Sequence, residues 1–145
     1  MGLAVFLSAC ILVPMQTADN GKQSHELKLG IGRDEVAYHM ADLVNATVSP
    51  DESVQVVGEA VHVYLLTGRQ APDRIVHTGF LDFDKSLVEP AVSDFETDMP
   101  DVVVELLEYR DSKRNKYIAP IIDANYELQD VYYKDGSTAY LWRKR

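Results

Sequence analysis

The spacing of apolar and polar positions changes several times along the chain, and each change marks an element. Met1 to Met15 holds no charged residue and is apolar almost throughout. As a helix it would span roughly 22 Å, short of the ~30 Å core of a bilayer but the right length for the apolar region of a signal peptide. Gln16 to His25 is polar and contains Asn20-Gly21, as a tether would. From Leu29 the period becomes helical. Val36, Met40, Leu43, Val44 and Thr47 recur at i, i+3, i+4 spacing, and Asp34 and Glu35 suit the positive end of a helix dipole. Gly30 and Gly32 punctuate the opening of that helix, and Ser49-Pro50-Asp51 closes its neighbourhood.

Beyond the helix, β-branched and aromatic residues take over. Ser53 to Thr67 reads as one long strand, or as two joined by a bulge at Gly58. Gly68 to Asp73 is a loop with Pro72. Arg74 to Asp84 reads as the hairpin partner, with Leu81 and Phe83 alternating against Asp82 and Asp84. Lys85 to Pro100 is acidic and irregular, with Pro90 and Pro100 as breakers. Asp101 to Arg110 is a strand by its valines, Asp111 to Asn115 a charged turn, and Tyr117 to Ile122 a strand interrupted by Pro120.

The plainest signal is the tail, Tyr126 to Arg145. Two aromatic-rich runs flank Asp135-Gly136, the residue pair that a type I′ hairpin turn prefers because both positions need φ > 0. That turn would set Tyr133 opposite Thr138, Val131 opposite Tyr140 and Gln129 opposite Trp142. Tyr133, Val131, Tyr140 and Trp142 then share one face, and Tyr132, Ala139, Leu128 and Leu141 the other. Together the elements predict an α+β fold: a mostly antiparallel sheet with one main helix packed on a face, in a single domain. The domain boundaries follow as 1–18 for a signal or lipidation segment, 19–28 for a tether and 29–145 for the folded part.

Charge sharpens the picture. Of the net −9, residues 1–109 hold 6 Lys/Arg against 18 Asp/Glu, and residues 110–145 hold 8 against 5. An acidic body argues against nucleic acid as a partner, since phosphate binding needs a concentrated basic surface. The basic end, Arg143-Lys144-Arg145, is either solvated or in contact with anionic lipid or the acidic half. The chain has 1 cysteine, Cys10, which rules out an internal disulfide and a multi-thiolate zinc site.

That cysteine lies in Leu7-Ser8-Ala9-Cys10, which resembles the lipobox of bacterial lipoproteins. The resemblance implies diacylation of the Cys10 thiol, cleavage just before it, and anchorage by acyl chains that contribute ~0.8 kcal/mol per buried CH₂. No Lys or Arg precedes the apolar run, and Ile11-Leu12-Val13-Pro14-Met15 after the cysteine is itself apolar. Two alternatives therefore stand beside lipidation: export with cleavage near Ala18, and a buried N-terminal element with Cys10 as a small core residue. Leu29, Gly32, Asp34, Glu35, Val36 and Met40, opening a helix behind a lipobox and ahead of antiparallel strands, resemble the SmpA/OmlA group of BamE-like outer-membrane lipoproteins. Where that group has Leu-Gly-x-Pro at the helix end, this chain has Met40-Ala41-Asp42-Leu43.

Candidate chemistry is sparse. His25, His39, His62 and His77 form no His-Glu-x-x-His pattern. His62 and His77 would lie on pairing strands, and Asp82 and Asp84 would stand about 6.6 Å apart on one strand face, a spacing that suits a cation or an acid–base pair. The acidic run Asp94, Glu96, Asp98 and Asp101 lacks the glycine and glutamate of a calcium loop. No Gly-x-Ser-x-Gly elbow and no dinucleotide fingerprint occur. The sequence thus assigns no catalytic residue, no metal ligand and no cofactor. It points to a non-enzymatic cell-envelope lipoprotein, outer-membrane-anchored or periplasmic, with Tyr133, Tyr140 and Trp142 as the protein-binding residues and lipid on Cys10 as the membrane contact. The alternatives are a secreted or periplasmic inhibitor or immunity protein against a basic toxin or hydrolase, and a cytoplasmic enzyme using Asp82 and Asp84. The partner and the oligomeric state are left open.

Overall fold

A computed structural model describes residues 31–58, 60–72, 78–107 and 113–145. Cys10, the signal and tether segments, His25 and His77 lie outside these residues. The elements are α1 (Ile31–Thr47), β1 (Val54–Val57), α2 (His62–Thr67), 3₁₀ turns at Thr78–Asp82 and Lys85–Leu87, α3 (Val88–Asp98), β2 (Val102–Leu107), α4 (Ala119–Asn125), β3 (Tyr126–Lys134) and β4 (Ser137–Lys144). The strands form one sheet in the order β1-β2-β4-β3. β1 runs parallel to β2, and the other two pairs are antiparallel. The fold is α+β, as the hydropathy pattern predicts.

α1 forms where the helical period places it. Val36, Ala37, Met40 and Val44 are fully buried, packed with Val54, Val56, Val102, Val104, Leu106, Ala139 and Leu141 on one sheet face. Burying a Val or Met side chain contributes about 1.5–3 kcal/mol, so this stripe seats the helix. The end of α1 is closed from afar. Arg69 donates to the carbonyls of Val48, Ser49 and Glu52, and Arg143 to Thr47 O and the Glu52 carboxylate. β1 and β2 are tied at their starts by a reciprocal lock. Ser53 N and Oγ donate to Asp101 Oδ2 at 2.8 Å each, and Asp101 N donates back to Ser53 Oγ. These bonds, the Ser53 amide foremost and the hydroxyl next, hold the Asp101 carboxyl below its ordinary range.

The opposite face carries the second core: Val57, Val103 and Tyr126 from the sheet, Leu81 from the first 3₁₀ turn, Ile118 from the loop before α4, Ala91 and Phe95 from α3, and Ile122 from α4. Tyr126 crosses this layer to donate to Pro100 O at 2.7 Å.

Four expectations are corrected here. Ser53–Thr67 is a four-residue strand followed by a helix, because Gly58 turns at φ 120° and the Tyr64 hydroxyl in α2 accepts the edge amide of Val56. Gly58 has no room for a side chain: a Cβ there would lie 2.6 Å from Leu106 O. The described part of Arg74–Asp84 is a 3₁₀ turn rather than a hairpin strand. Lys85–Pro100 contains α3, with Pro90 in its first turn, where no intrahelical N–H is required. Tyr117–Ile122 opens α4, again with its proline at the start.

Candidate functional site

The tail hairpin is where structure and chemistry meet. Asp135 and Gly136 take φ of 49° and 89°, so the turn has the I′ signature, and Val131 stands opposite Tyr140 and Tyr133 opposite Thr138. One register change separates structure from sequence. Leu128, not Gln129, faces Trp142, because Gln129 is an extra residue between Leu128↔Trp142 and Asp130↔Leu141. This bulge moves Leu128 from the α1 side of the sheet to the Trp142 side.

The result is a shelf on one face of β3 and β4 made of Leu128, Val131, Tyr133, Tyr140 and Trp142. Leu128, Val131 and Tyr133 are 46%, 47% and 59% exposed. Tyr140 and Trp142 are half-buried, with ring centroids 5.9 Å apart. The structure therefore brings together all three aromatic residues that the sequence singles out.

Trp142 does not stand freely. Its Nε1 donates to Glu105 Oε2 at 3.1 Å, and the Arg114 guanidinium lies 5.1 Å from its ring centroid. Glu105 is buried at the centre of β2 and receives Arg114 Nε on both oxygens, at 2.8 and 2.9 Å. Arg114 Nη1 reaches on to Asp123 Oδ1 at 2.6 Å, on α4. Burial works against the Arg114 charge, but the bonds from Glu105 and Asp123 outweigh it and hold its pKa above the ordinary arginine value. The sequence reading missed this support. Its signal was a lone glutamate inside the valine run of β2, which demands a cationic partner once that strand is buried on both faces.

The other face of β3 is engaged with α1. Tyr132 stacks on His39 at 3.8 Å between centroids and donates to Glu35 Oε1 at 3.3 Å, and Lys134 Nζ lies 3.3 Å from the same oxygen. That carboxylate raises the Lys134 pKa.

The remaining sequence candidates are scattered. Asp84 caps the Lys85–Leu87 turn, accepting from Ser86 Oγ and N, which lowers its pKa. Asp82 pairs with Lys116 at 3.7 Å and Lys85 at 4.0 Å, so the two carboxylates do not share a strand face. Those lysines flank Tyr117 and, Lys85 first, draw its phenol pKa down. His62 begins α2 rather than lying on a strand. Among the described residues no group of three or more His, Cys, Asp and Glu stands together, and no helix is long and apolar enough to cross a membrane. A shallow groove of about 450 Å³ runs between Glu96, Met99, Pro120, Ile121, Ala124 and Asn125. Comparison with family models, curated proteins and solved structures finds no match to this chain.

Proposed function

We propose that this protein is a non-enzymatic interaction module of the cell envelope, held there by lipid on Cys10, whose β3–β4 shelf docks a protein partner. One observation carries the reading: Leu128, Val131 and Tyr133 stand exposed along a single strand beside a tryptophan held by the ion pair of buried Glu105 with Arg114. Exposed apolar side chains scattered singly need no explanation, but a contiguous set on a rigid sheet is the form an interaction site takes. Glu105 and Arg114 supply rigidity, so little side-chain freedom remains to be lost on binding. The lipobox and the SmpA/OmlA-like opening of α1 support the envelope as its place.

A second reading draws on charge. The acidic excess of residues 1–109 favours fast association with a basic partner, as an inhibitor or immunity protein would need. A single tight partner whose association slows steeply with salt belongs to that reading, and a multi-component envelope assembly to the first.

Two experiments test the proposal. Radioactive fatty acid supplied to a bacterial host should label the wild type and not Cys10→Ser, and an unlabelled wild type would remove the tether. Immobilised protein should retain the same envelope partner as wild type when Leu65, 79% exposed on α2, is changed to Asp, and lose it in Val131→Asp and Tyr133→Asp at unchanged melting temperature. Equal retention by all variants would remove the shelf.

A further inference from the structure

Among the described residues β3 is an outer strand of the sheet, and its outer edge has a pattern that the shelf does not use. In a two-residue hairpin the pair beside the turn is hydrogen-bonded, here Lys134↔Ser137. By alternation, Tyr132 and Asp130 also turn their backbone groups toward β4, while Tyr133 and Val131 turn theirs outward. One bond corroborates this. Val131 N donates not to a strand but to the Asp130 carboxylate at 2.7 Å, so the edge amide is stoppered by its neighbour.

We propose that this edge pairs with the same edge of a second copy, antiparallel about a twofold axis at Tyr132, to give a continuous eight-stranded sheet. Outward-facing residues must meet outward-facing residues, which sets Val131 against Tyr133 of the second copy and Tyr133 against its Val131. The same register sets Asp130 against Lys134 of the second copy, and Lys134 against its Asp130. Tyr132 then meets itself at the axis. Charge and apolar positions are thus self-complementary at every pair from Asp130 to Lys134, the condition a twofold interface imposes. Asp130 leaves Val131 N–H for Lys134 of the second copy, and the freed amide enters the new ladder. The bulge at Gln129 ends the regular edge on one side and the turn ends it on the other, so pairing is limited to these five residues.

The pairing does not depend on what the shelf binds. Asp130 and Lys134 lie on the α1 side of the sheet, away from the shelf, so their variants leave the shelf's side chains in place.

The test is a charge swap in the full chain, read by sedimentation across a concentration series. Wild type should dimerise reversibly. Asp130→Lys sets Lys against Lys at both ends of the interface and Lys134→Asp sets Asp against Asp, so each variant alone should dimerise roughly tenfold or more weakly. Mixed in equal amounts, the two should form a heterodimer, because both ion pairs are then restored, one as in the wild type and one reversed. Val131→Pro, which removes an outward N–H and spares the β4 ladder, should abolish pairing at unchanged far-UV circular dichroism. This keeps the test decisive if Lys134→Asp, deprived of its bond to Glu35, folds poorly. A wild type that stays monomeric throughout would overturn the proposal. So would a dimer that persists in both single variants or in Val131→Pro.

Discussion

At the scale of single residues, the most exacting feature is a carboxylate where a valine would pack. Glu105 is 1% exposed in the middle of β2, and its charge is tolerable only because Arg114 and Trp142 converge on it. Removing one partner of such a pair strands the other. Arg114→Met should therefore lower unfolding stability by about 3 kcal/mol, measured by urea titration. The emission of Trp142, the 1 tryptophan of the chain, should shift as the guanidinium leaves its ring. Unchanged stability and emission would mean that the pair does not hold Trp142. Gly58→Ala should destabilise by about 2–3 kcal/mol, since φ 120° and a carbonyl 2.6 Å away leave a methyl group no place. The Ser53–Asp101 lock makes a pH-dependent contribution. A carboxyl whose native pKa is depressed stabilises the fold above its unfolded value, about 3.9, and this is lost as pH falls through the lower native value. Ser53→Ala weakens that depression, so its deficit against wild type, followed by urea midpoints, should be widest near neutrality and narrow in strong acid.

Elements were legible where a local rule and the tertiary environment agree. α1 has its apolar stripe on the face that the sheet covers, and Asp135-Gly136 fixes its turn with no help from elsewhere. The errors cluster where a residue's local meaning depends on position within an element. Pro90 and Pro120 read as breakers inside strands or loops, yet each stands in the first turn of a helix, where its missing N–H removes no bond. His62 to Thr67 has β-branched and aromatic residues that suit a strand, but Gly58 diverts the chain and Tyr64 folds back on β1, so packing overrides propensity. The candidate site was half legible: alternation places Val131, Tyr133, Tyr140 and Trp142 on one face, but no local signal marks Gln129 as a bulge. Deleting Gln129 should be tolerated, because every other pair of the β3–β4 register survives, with a melting temperature close to wild type. Deleting Leu141 from β4, which has no extra residue to absorb the loss, should unfold the hairpin or lower the melting temperature sharply, since it turns Trp142 to the α1 face. Equal melting temperatures for the two deletions would contradict the register.

At the scale of the whole molecule, the sheet is used asymmetrically. Its β1 side is sealed, with Val54 to Val57 all buried and side chains of Tyr64 and Thr78 accepting the amides of Val56 and Gly58. Among the described residues no strand pairs with its β3 side, which is faced by apolar side chains and carries Asp130 and Lys134 on its other face. The surface available to a partner and the edge available to a second copy therefore lie on the same strand, on groups that point in different directions.

The most direct measurement of the central claim is photo-crosslinking in living cells, with a benzophenone amino acid placed at Tyr133 or, as a control, at Phe83. Phe83 is 88% exposed and belongs to the turn after Asp82 rather than to the hairpin, so greasiness alone would favour it. The expected result is a discrete heterologous adduct from Tyr133 in the envelope fraction and none from Phe83. Indistinguishable labelling from both positions, or no adduct at Tyr133 beyond a second copy of the chain, would contradict the account.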